Sequence, residues 1–468
     1  MARQKPTTTT PLSSSAPAPN RTLILDNGAH TLKAGFSTPT TTDREPNAAT
    51  DSHTIPNTIA RSHRDKRTYI GPELADCADF GELAFRRPVE RGYIVNWESE
   101  KAVWERSLFG FEGRGEGAVL ACEPQETSLV LTEAPNAPAV LQRNADEMVF
   151  EEFGFGGLFR TTAPALCAYA PSPFPSTASS SPSGLPLECL LVIDAGHSHT
   201  TITPLYHGRP LHTACRRLEV GGKTITNQLK ELISQRTFDV RREDWLVGEI
   251  KEDVCYVSQS FNQDLEKVWR GGRYDQRSST NDGSSNNDIV VDYVLPDYET
   301  IKRGYPRPHD AGVNVRNRAL GIGTGAGGRR EHILTIGNER FVAPEILFTP
   351  SDIGMQSEGL CGTVLQALNT LPSAALREAF LANVVVVGGA SLMPGLVGRL
   401  EAELRSTVDE AVLVRVARAG DPVKYAWLGG ARMARNEEVM REVVVTRGEY
   451  FEQGDLWVRR KFAGKVGR

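Results

Sequence analysis

The chain has 468 residues, of which 40% are hydrophobic and 24% are charged, and this near-average globular composition argues against wholesale disorder, a fibre or a disulfide scaffold. Its net charge of −5 at pH 7 excludes a nucleic-acid binder that relies on bulk positive charge. The apolar runs fall far short of the about 20 residues that a membrane-spanning helix needs.

Cysteine usage indicates a reducing compartment. Seven cysteines are scattered along the chain, and no two of them form a CxxC pair, as is typical of reduced thiols in the cytosol or the nucleus. The first 20 residues lack the apolar core of a secretory signal. We therefore expect residues 1–20 to be a disordered tail, with an organelle transit peptide as the alternative.

Two internal segments, 170–188 and 271–330, are rich in serine, glycine, proline or asparagine. Such segments cannot bury enough apolar area to offset the chain entropy that folding removes. We expect both to be exposed inserts. The alternative for 271–330 is a binding arm that folds on a partner.

Short apolar runs at 21–25, 190–193 and 384–387 are each followed at once by a polar or glycine turn. These runs predict buried strands in a sheet that is covered on both faces.

Helical patterns follow two of these runs, at 222–236 and 394–408. In the second, Leu396, Leu400 and Leu404 recur every fourth residue and would share one face of a helix. The alternation of strands and helices predicts the α/β fold class.

Two of the strand-to-turn segments share one pattern, an Asp at the end of the strand and a Gly two residues later. They are Asp26 with Gly28, and Asp194 with Gly196. The glycines let backbone N–H groups approach an anion, and paired aspartates suit the water shell of Mg²⁺. The repeat after about 170 residues predicts a duplicated fold.

Two further features complete the predicted phosphate and nucleotide site. Lys33 adds a positive charge beside the first turn. The pair Gly388 and Gly389 follows the last apolar strand and leaves a surface without side chains, on which a planar base could rest.

Together these motifs resemble those of the actin superfamily. The matches are DNGAHTLKAGF at 26–36, IDAGHSHTTITP at 193–204 and VVVVGGASLMPG at 384–395, with further actin-like blocks between and after them. The resemblance implies the actin-like ATPase fold, a duplicated two-lobed body with a nucleotide cleft.

The resemblance also implies where the lobes begin and end. Lobe one would span 21–169 and be completed by 427–468 after the chain returns to it. Lobe two would span 189–426 and carry the insert 271–330.

The implied ligand is ATP or ADP with Mg²⁺, which Asp26 and Asp194 would hold through water. The residues that match nucleotide-binding positions of the superfamily are Asp26, Asn27, Gly28, Lys33, Asp194, Gly196, Ser198, Lys251, Glu252, Gly388, Gly389, Ala390 and Lys424.

Four positions depart from the actin pattern. His30 and Ser198 replace glycines of the two phosphate turns, Pro164 falls where actins carry the glutamine that orients the attacking water, and Thr201 replaces a histidine. Proline has no side-chain donor or acceptor for that water. Because positioning supplies most of the rate of phosphoryl transfer, we expect a nucleotide-binding pseudo-ATPase with little or no hydrolysis and assign no catalytic residue.

Segments at 220–236, 250–259 and 344–355 look most like the actin-related protein 6 class, which supplies a subunit of the chromatin remodeller that exchanges histone H2A for its variant. The resemblance implies a structural subunit that acts in transcription regulation, in the nucleus with some in the cytoplasm. The implied partners are the remodeller's motor subunit, a small zinc-finger subunit and, through the complex, nucleosomal histones or DNA. No membrane contact is expected.

Three other interpretations stay open at this point. A cytoskeletal ATPase that polymerises is disfavoured by Pro164, and a sugar-kinase-like enzyme of the same fold is disfavoured by the chain-long actin blocks. The HxH pair of His197 and His199 could form half of a zinc site, but no Cys or carboxylate completes a familiar ligand spacing, so ordinary polar positions in a hairpin are the favoured explanation.

Overall fold

The computed structural model describes residues 21–37, 44–64, 66–81, 83–109, 119–174, 188–270, 289–310 and 331–463. The predicted tail 1–20 and most of the two predicted inserts lie outside these residues.

The described strands, in chain order, are β1 (Arg21–Asn27), β2 (Thr31–Phe36), β3 (His53–Pro56), β4 (Ile59–Ser62), β5 (Thr68–Ile70), β6 (Leu83–Arg86), β7 (Val89–Glu90), β8 (Tyr93–Ile94), β9 (Thr127–Glu133), β10 (Gly157–Thr162), β11 (Cys189–Ala195), β12 (Thr200–Tyr206), β13 (Arg209–Pro210), β14 (Arg216–Leu218), β15 (Val291–Val294), β16 (Tyr305–Pro308), β17 (Ile333–Ile336), β18 (Val384–Val387), β19 (Val416–Arg418) and β20 (Val445–Thr446).

The described α-helices are α1 (Ala48–Asp51), α2 (Trp97–Leu108), α3 (Ala139–Glu147), α4 (Ala163–Cys167), α5 (Gly222–Arg236), α6 (Asp244–Val254), α7 (Phe261–Arg270), α8 (Glu339–Glu345), α9 (Leu360–Asn369), α10 (Ala374–Leu381), α11 (Leu396–Thr407), α12 (Tyr425–Ala434), α13 (Glu437–Val443), α14 (Arg447–Gln453) and α15 (Asp455–Phe462). Within the described part of the chain, no helix is long and apolar enough to cross a bilayer.

Two six-stranded sheets repeat one topology. The first has the order β20-β10-β9-β1-β2-β3, and the second has β13-β12-β11-β18-β19 with β14 paired to β12. In each, an antiparallel hairpin (β1–β2 or β11–β12) lies beside two parallel strands (β9 and β10, or β18 and β19). The α/β fold class and the duplication that the Asp-x-Gly repeat predicts are thereby confirmed.

The continuous apolar runs form the centres of these sheets. Leu23, Ile24 and Leu25 of β1 and all four residues at 190–193 of β11 are fully buried. Strands that are covered on both faces need no alternation of polar and apolar residues, which explains why both runs are apolar throughout.

The predicted helices form as expected. Residues 222–236 form α5, and Leu396, Leu400 and Leu404 of α11 are fully buried along one face. After α11 the chain returns to the first sheet, where Trp427 of α12 packs with Ile24 and β20 pairs with β10.

One part of the prediction for 271–330 is wrong. Within that segment β15 pairs with β16, and β15 also pairs with β17, which follows the segment. Tyr293 and Val294 of β15 are fully buried, and Tyr293 belongs to the core of lobe two. The run VVDYVL at 290–295 is rich in β-branched and aromatic side chains, which are common in strands. The residues 289–310 are therefore part of the folded body, not an exposed insert.

Candidate functional site

A cavity of about 440 Å³ lies where the β1–β2 turn, the β11–β12 turn and the loop after β18 converge. This volume is within the usual range of small-ligand pockets. Twelve of the thirteen predicted site residues line it: Asp26, Asn27, Gly28, Lys33, Asp194, Gly196, Ser198, Lys251, Glu252, Gly388, Gly389 and Ala390.

The first turn presents a carboxylate that is held from two sides. Lys33 lies opposite Asp26 in the hairpin, and its ammonium is 3.1 Å from Asp26 Oδ2. The hydroxyl of Thr132, on β9, donates to Asp26 Oδ1 over 2.8 Å. These contacts fix the orientation of Asp26 and place the Lys33 ammonium at the cavity.

A buried polar network, which the sequence analysis missed, lies beneath this turn. Asn57 donates to the carbonyl oxygen of Gly28 (3.1 Å) and to Glu100 Oε1 (3.3 Å), and Trp104 Nε1 donates to Asn27 Oδ1 and to the same Glu100 oxygen (both 3.2 Å). Glu100 is fully buried, and burial raises the pKa of its carboxyl to about 7.

A signal for this network is present in the sequence. Glu100 shares the buried face of α2 with Val103, Trp104 and Ser107. A carboxylate three and four residues before buried apolar residues lies on the buried face of the helix. A carboxylate is seldom buried without partners, so this position indicates a specific hydrogen-bonding role.

The carboxylate of the second turn belongs to Asp194. Asp194 lies opposite Thr201 in the hairpin, and burial together with the nearby Asp26 raises its pKa to about 6. Gly388 closes over it with φ +87°, and a Cβ there would overlap the carbonyl oxygen of Ala195 and lie 2.7 Å from Asp194 Oδ1. Only glycine permits this approach.

The far side of the cavity is formed by α6 and the loop after β18. The ammonium of Lys251 donates to the hydroxyl of Thr226 over 3.1 Å, and burial lowers its pKa. A Cβ at Gly389 would meet nothing within 4 Å. The position therefore has the open, flat surface that the Gly-Gly pair predicts.

Lys424 is the predicted site residue that lies apart from the other twelve. Lys424 does not line the cavity, and its ammonium donates instead to the carbonyl oxygens of Ala48 and Ser52, both over 3.1 Å. Pro422 and Val423 take the place at the cavity wall. The chain therefore passes the cavity one residue before Lys424, and the Lys424 side chain lies outside it.

The departures from the actin pattern also line the cavity. Ala163 and Pro164 open α4 there, and neither side chain carries a donor or acceptor. Thr201 faces the cavity with a buried hydroxyl that lacks a hydrogen-bond partner.

Two imidazole rings meet between the hairpins. His30 and His197 make an edge-to-face contact with centroids 4.8 Å apart. Burial and the positive charges of Arg87, Lys251 and Lys33 lower the pKa of His30 to about 3. Burial also lowers the pKa of His197. Both rings are therefore neutral and available as hydrogen-bonding groups in a cavity that Asp26 and Asp194 also line.

No group of three or more His, Cys, Asp or Glu side chains among the described residues has the arrangement of a metal site. His197 and His199 line the cavity but point to no third ligand of this kind. The hairpin interpretation of the HxH pair is the simpler account.

The sequence pattern that defines the actin family, described as Actin, matches residues 18–463. The chain belongs to the actin family. It is 46% identical over 466 residues to "Actin-like protein arp6" of Emericella nidulans, with 96% of each chain covered. It is 45% identical to "Actin-related protein 6" of Neurospora crassa, with 96% of each covered, and 35% identical to "Actin-related protein 6" of Drosophila melanogaster, with 93% of this chain and 98% of the relative covered.

The residues present fit the nucleotide that the actin family implies. Asp26 and Asp194 converge on one cavity as a carboxylate pair, and Lys33 and Lys251 bring positive charge to it from different sides. Gly389 leaves open space where a base could lie. The hydroxyl of Thr201 is buried at the cavity wall without a hydrogen-bond partner, so it retains an unused donor toward a ligand.

Proposed function

We propose that this member of the actin family binds ATP or ADP with Mg²⁺ in the interlobe cavity and turns it over very slowly or not at all. The observation that carries the proposal is the convergence of Asp26, Asp194 and the open Gly389 surface on one cavity of about 440 Å³. Lys33 and Lys251 would neutralise phosphate charge. Bound Mg²⁺ would supply charge neutralisation, held through water by the two aspartates.

The slow turnover follows from the cavity lining at α4. Hydrolysis needs a side chain that orients the attacking water, and Ala163, Pro164 and Thr201 offer one hydroxyl and no amide or carboxylate there. The nucleotide would then act as a structural cofactor that joins the lobes.

A single-turnover assay with labelled ATP on the purified full-length chain tests this. We expect bound nucleotide to be recovered largely as ATP over a time in which actin would hydrolyse it. Hydrolysis at an actin-like rate would overturn the proposal, and salt-induced polymers in sedimentation would favour the cytoskeletal alternative.

We further propose that the protein is a structural subunit of the remodeller that exchanges histone H2A for its variant, and that it acts in transcription regulation, mainly in the nucleus. Support comes from near-complete alignment with relatives named actin-related protein 6 in fungi and fly. The net charge of −5 favours contacts with a motor subunit, a small zinc-finger subunit and histones over a broad DNA-binding surface.

Affinity purification from nuclei, with mass spectrometry of partners and of bound nucleotide, tests the assembly. Recovery in a stable complex with a motor ATPase and a zinc-finger protein is the expected result. Recovery only as a free monomer would contradict it.

A further inference from the structure

A tryptophan of lobe two is packed into the apolar core of a small subdomain of lobe one. That core contains Ala60, Tyr69, Leu74 and Leu83, all between residues 60 and 83, and Trp245 of α6 packs against it together with Phe80 and Phe85. Trp245 thus reaches across the cleft, because β4, β5 and β6 belong to lobe one and α6 to lobe two.

The rings make a layered contact. Trp245 stacks on Phe80 with centroids 4.5 Å apart and planes inclined by 18°, and on Phe85 at 5.8 Å and 10°. Tyr298 of lobe two also approaches Phe80, with ring centroids 6.5 Å apart and planes inclined by 41°. Offset aromatic contacts of this kind stabilise beyond the apolar area they bury.

The indole is held in this orientation by its own helix. Its Nε1 donates to Glu249 Oε1, one turn further along α6, over 3.2 Å. The same helix carries Lys251 and Glu252 at the cavity wall. Lys251 follows Trp245 by six positions in this helix, a rise of about 9 Å. A movement of α6 that carries Trp245 away from Phe80 therefore also moves the cavity wall.

We propose that Phe80, Phe85 and Trp245 form an aromatic latch, which holds the two lobes together at the mouth of the cleft and retains a nucleotide bound beneath it. This inference rests on the proposed nucleotide binding. Closing the latch buries apolar surface from both lobes, and release of the nucleotide requires the lobes to separate and expose it again.

The first test is nucleotide release. The purified full-length chain is loaded with a fluorescent ATP analogue and chased with unlabelled ATP. Loss of two ring contacts in Trp245→Ala should speed release by about tenfold, and Phe80→Ala, on the opposite lobe, should act in the same direction. Trp245→Phe keeps an aromatic face and should release within about threefold of the wild-type rate.

The matched control is Phe238→Ala, which removes an aromatic ring of lobe two that is 43% exposed and lies just before α6. It should leave the release rate unchanged. The effects of Trp245→Ala and Phe80→Ala should add up to less than their sum in the double variant, because both substitutions remove the Trp245–Phe80 contact. Additive effects, or release from Trp245→Ala within twofold of wild type, would overturn the latch.

A second measurement separates the latch from nucleotide binding. Hydrogen exchange of the nucleotide-free chain should rise in β4, in α6 and in the two cavity turns for Trp245→Ala but not for Phe238→Ala. If no nucleotide binds and this exchange pattern appears, the proposed function and the retention of nucleotide fail, and only the role of the latch in holding the lobes together stands. If nucleotide binds and the exchange is unchanged, the latch fails alone.

Discussion

At the scale of single residues, Glu100 combines complete burial with the absence of a cationic partner among its hydrogen-bonding contacts, which are Asn57, Trp104 and Asn27. Burial raises the pKa of its carboxyl from 4.5 to about 7. The folded state therefore holds a proton that the unfolded chain releases near pH 4.5, and the free energy of unfolding falls as pH rises from 4.5 to 7.

Glu100→Gln should remove this pH dependence. The amide keeps a donor toward the network and cannot ionise, so the variant should become more stable than wild type by about 3 kcal/mol at pH 8 and be similar to it at pH 4.5. Urea unfolding at several pH values measures this. Glu98→Gln, an exposed neighbour in the first turn of α2, is the matched control and should show no such trend between pH 5 and 8.

Two adjacent glycines at the cavity separate a structural requirement from a binding requirement. Gly388→Ala should destabilise the fold by about 1–3 kcal/mol, because its φ is +87° and a Cβ would overlap the carbonyl oxygen of Ala195. The Cβ of Gly389→Ala would meet open space in the ligand-free chain, so the variant should keep wild-type stability. The added methyl group should weaken nucleotide binding alone, because it would occupy the surface on which the base rests. Thermal melting and a titration with nucleotide test the pair. Equal melting temperatures for the two variants would contradict the prediction.

At the scale of secondary-structure elements, a buried ion network ties β10 to α3 and β9. Arg160 on β10 is 2% exposed and donates to both oxygens of Asp146 on α3 (2.9 and 3.2 Å) and to Glu133 at the end of β9 (2.8 Å). Burial raises the pKa of Asp146 to about 6 even with Arg160 beside it. The network therefore depends on the guanidinium to keep two carboxylates charged inside the protein.

Arg160→Met should destabilise the chain by about 3–5 kcal/mol, because it leaves the buried Asp146 and the half-buried Glu133 without their cation. Adding Asp146→Leu should recover part of that loss, since the second substitution removes one of the stranded charges. Urea unfolding of the two variants provides the comparison. A double variant less stable than Arg160→Met would contradict the argument.

The elements that the sequence predicts correctly are those determined by the pattern of apolar residues within the element itself. The runs of β1, β11 and β18 are apolar because both faces of each strand are covered, and the leucine stripe of α11 matches its buried face. The cavity residues follow from turns that directly succeed these strands. The remainder depends on long-range contacts: Glu100 meets Asn57 across 43 residues, Trp245 meets Phe80 across the cleft, and Lys424 finds Ala48 376 residues away.

At the scale of the whole molecule, the contacts between the two lobes include three that differ in chemistry. Lys424 donates to the carbonyl oxygens of Ala48 and Ser52, His30 meets His197 between the hairpins, and Trp245 stacks on Phe80. A ligand between the hairpins would add a further connection. Since it would bind only the folded chain, it should stabilise by about 2.7 kcal/mol at a hundredfold excess over Kd.

Asp194→Asn should have opposite effects with and without ligand. In the ligand-free cleft, burial and Asp26 raise the pKa of Asp194 from 3.8 to about 6, so its charge at pH 7.5 opposes folding and the amide should raise the melting temperature. With Mg²⁺ and ATP, the amide loses the charge that would hold the metal's water. The ligand-induced rise in melting temperature should therefore fall to less than half of the wild-type rise.

Thermal melting at pH 7.5, with ATP and either Mg²⁺ or EDTA, measures both effects. EDTA should reduce the wild-type gain to the level of the variant, because both treatments remove the metal's contribution. Asp352→Asn, an exposed aspartate of lobe two, is the control and should behave as wild type with and without ligand. A full Mg²⁺-dependent gain in Asp194→Asn would show that Asp194 does not hold the metal, because the neutral amide could not replace a carboxylate in that role.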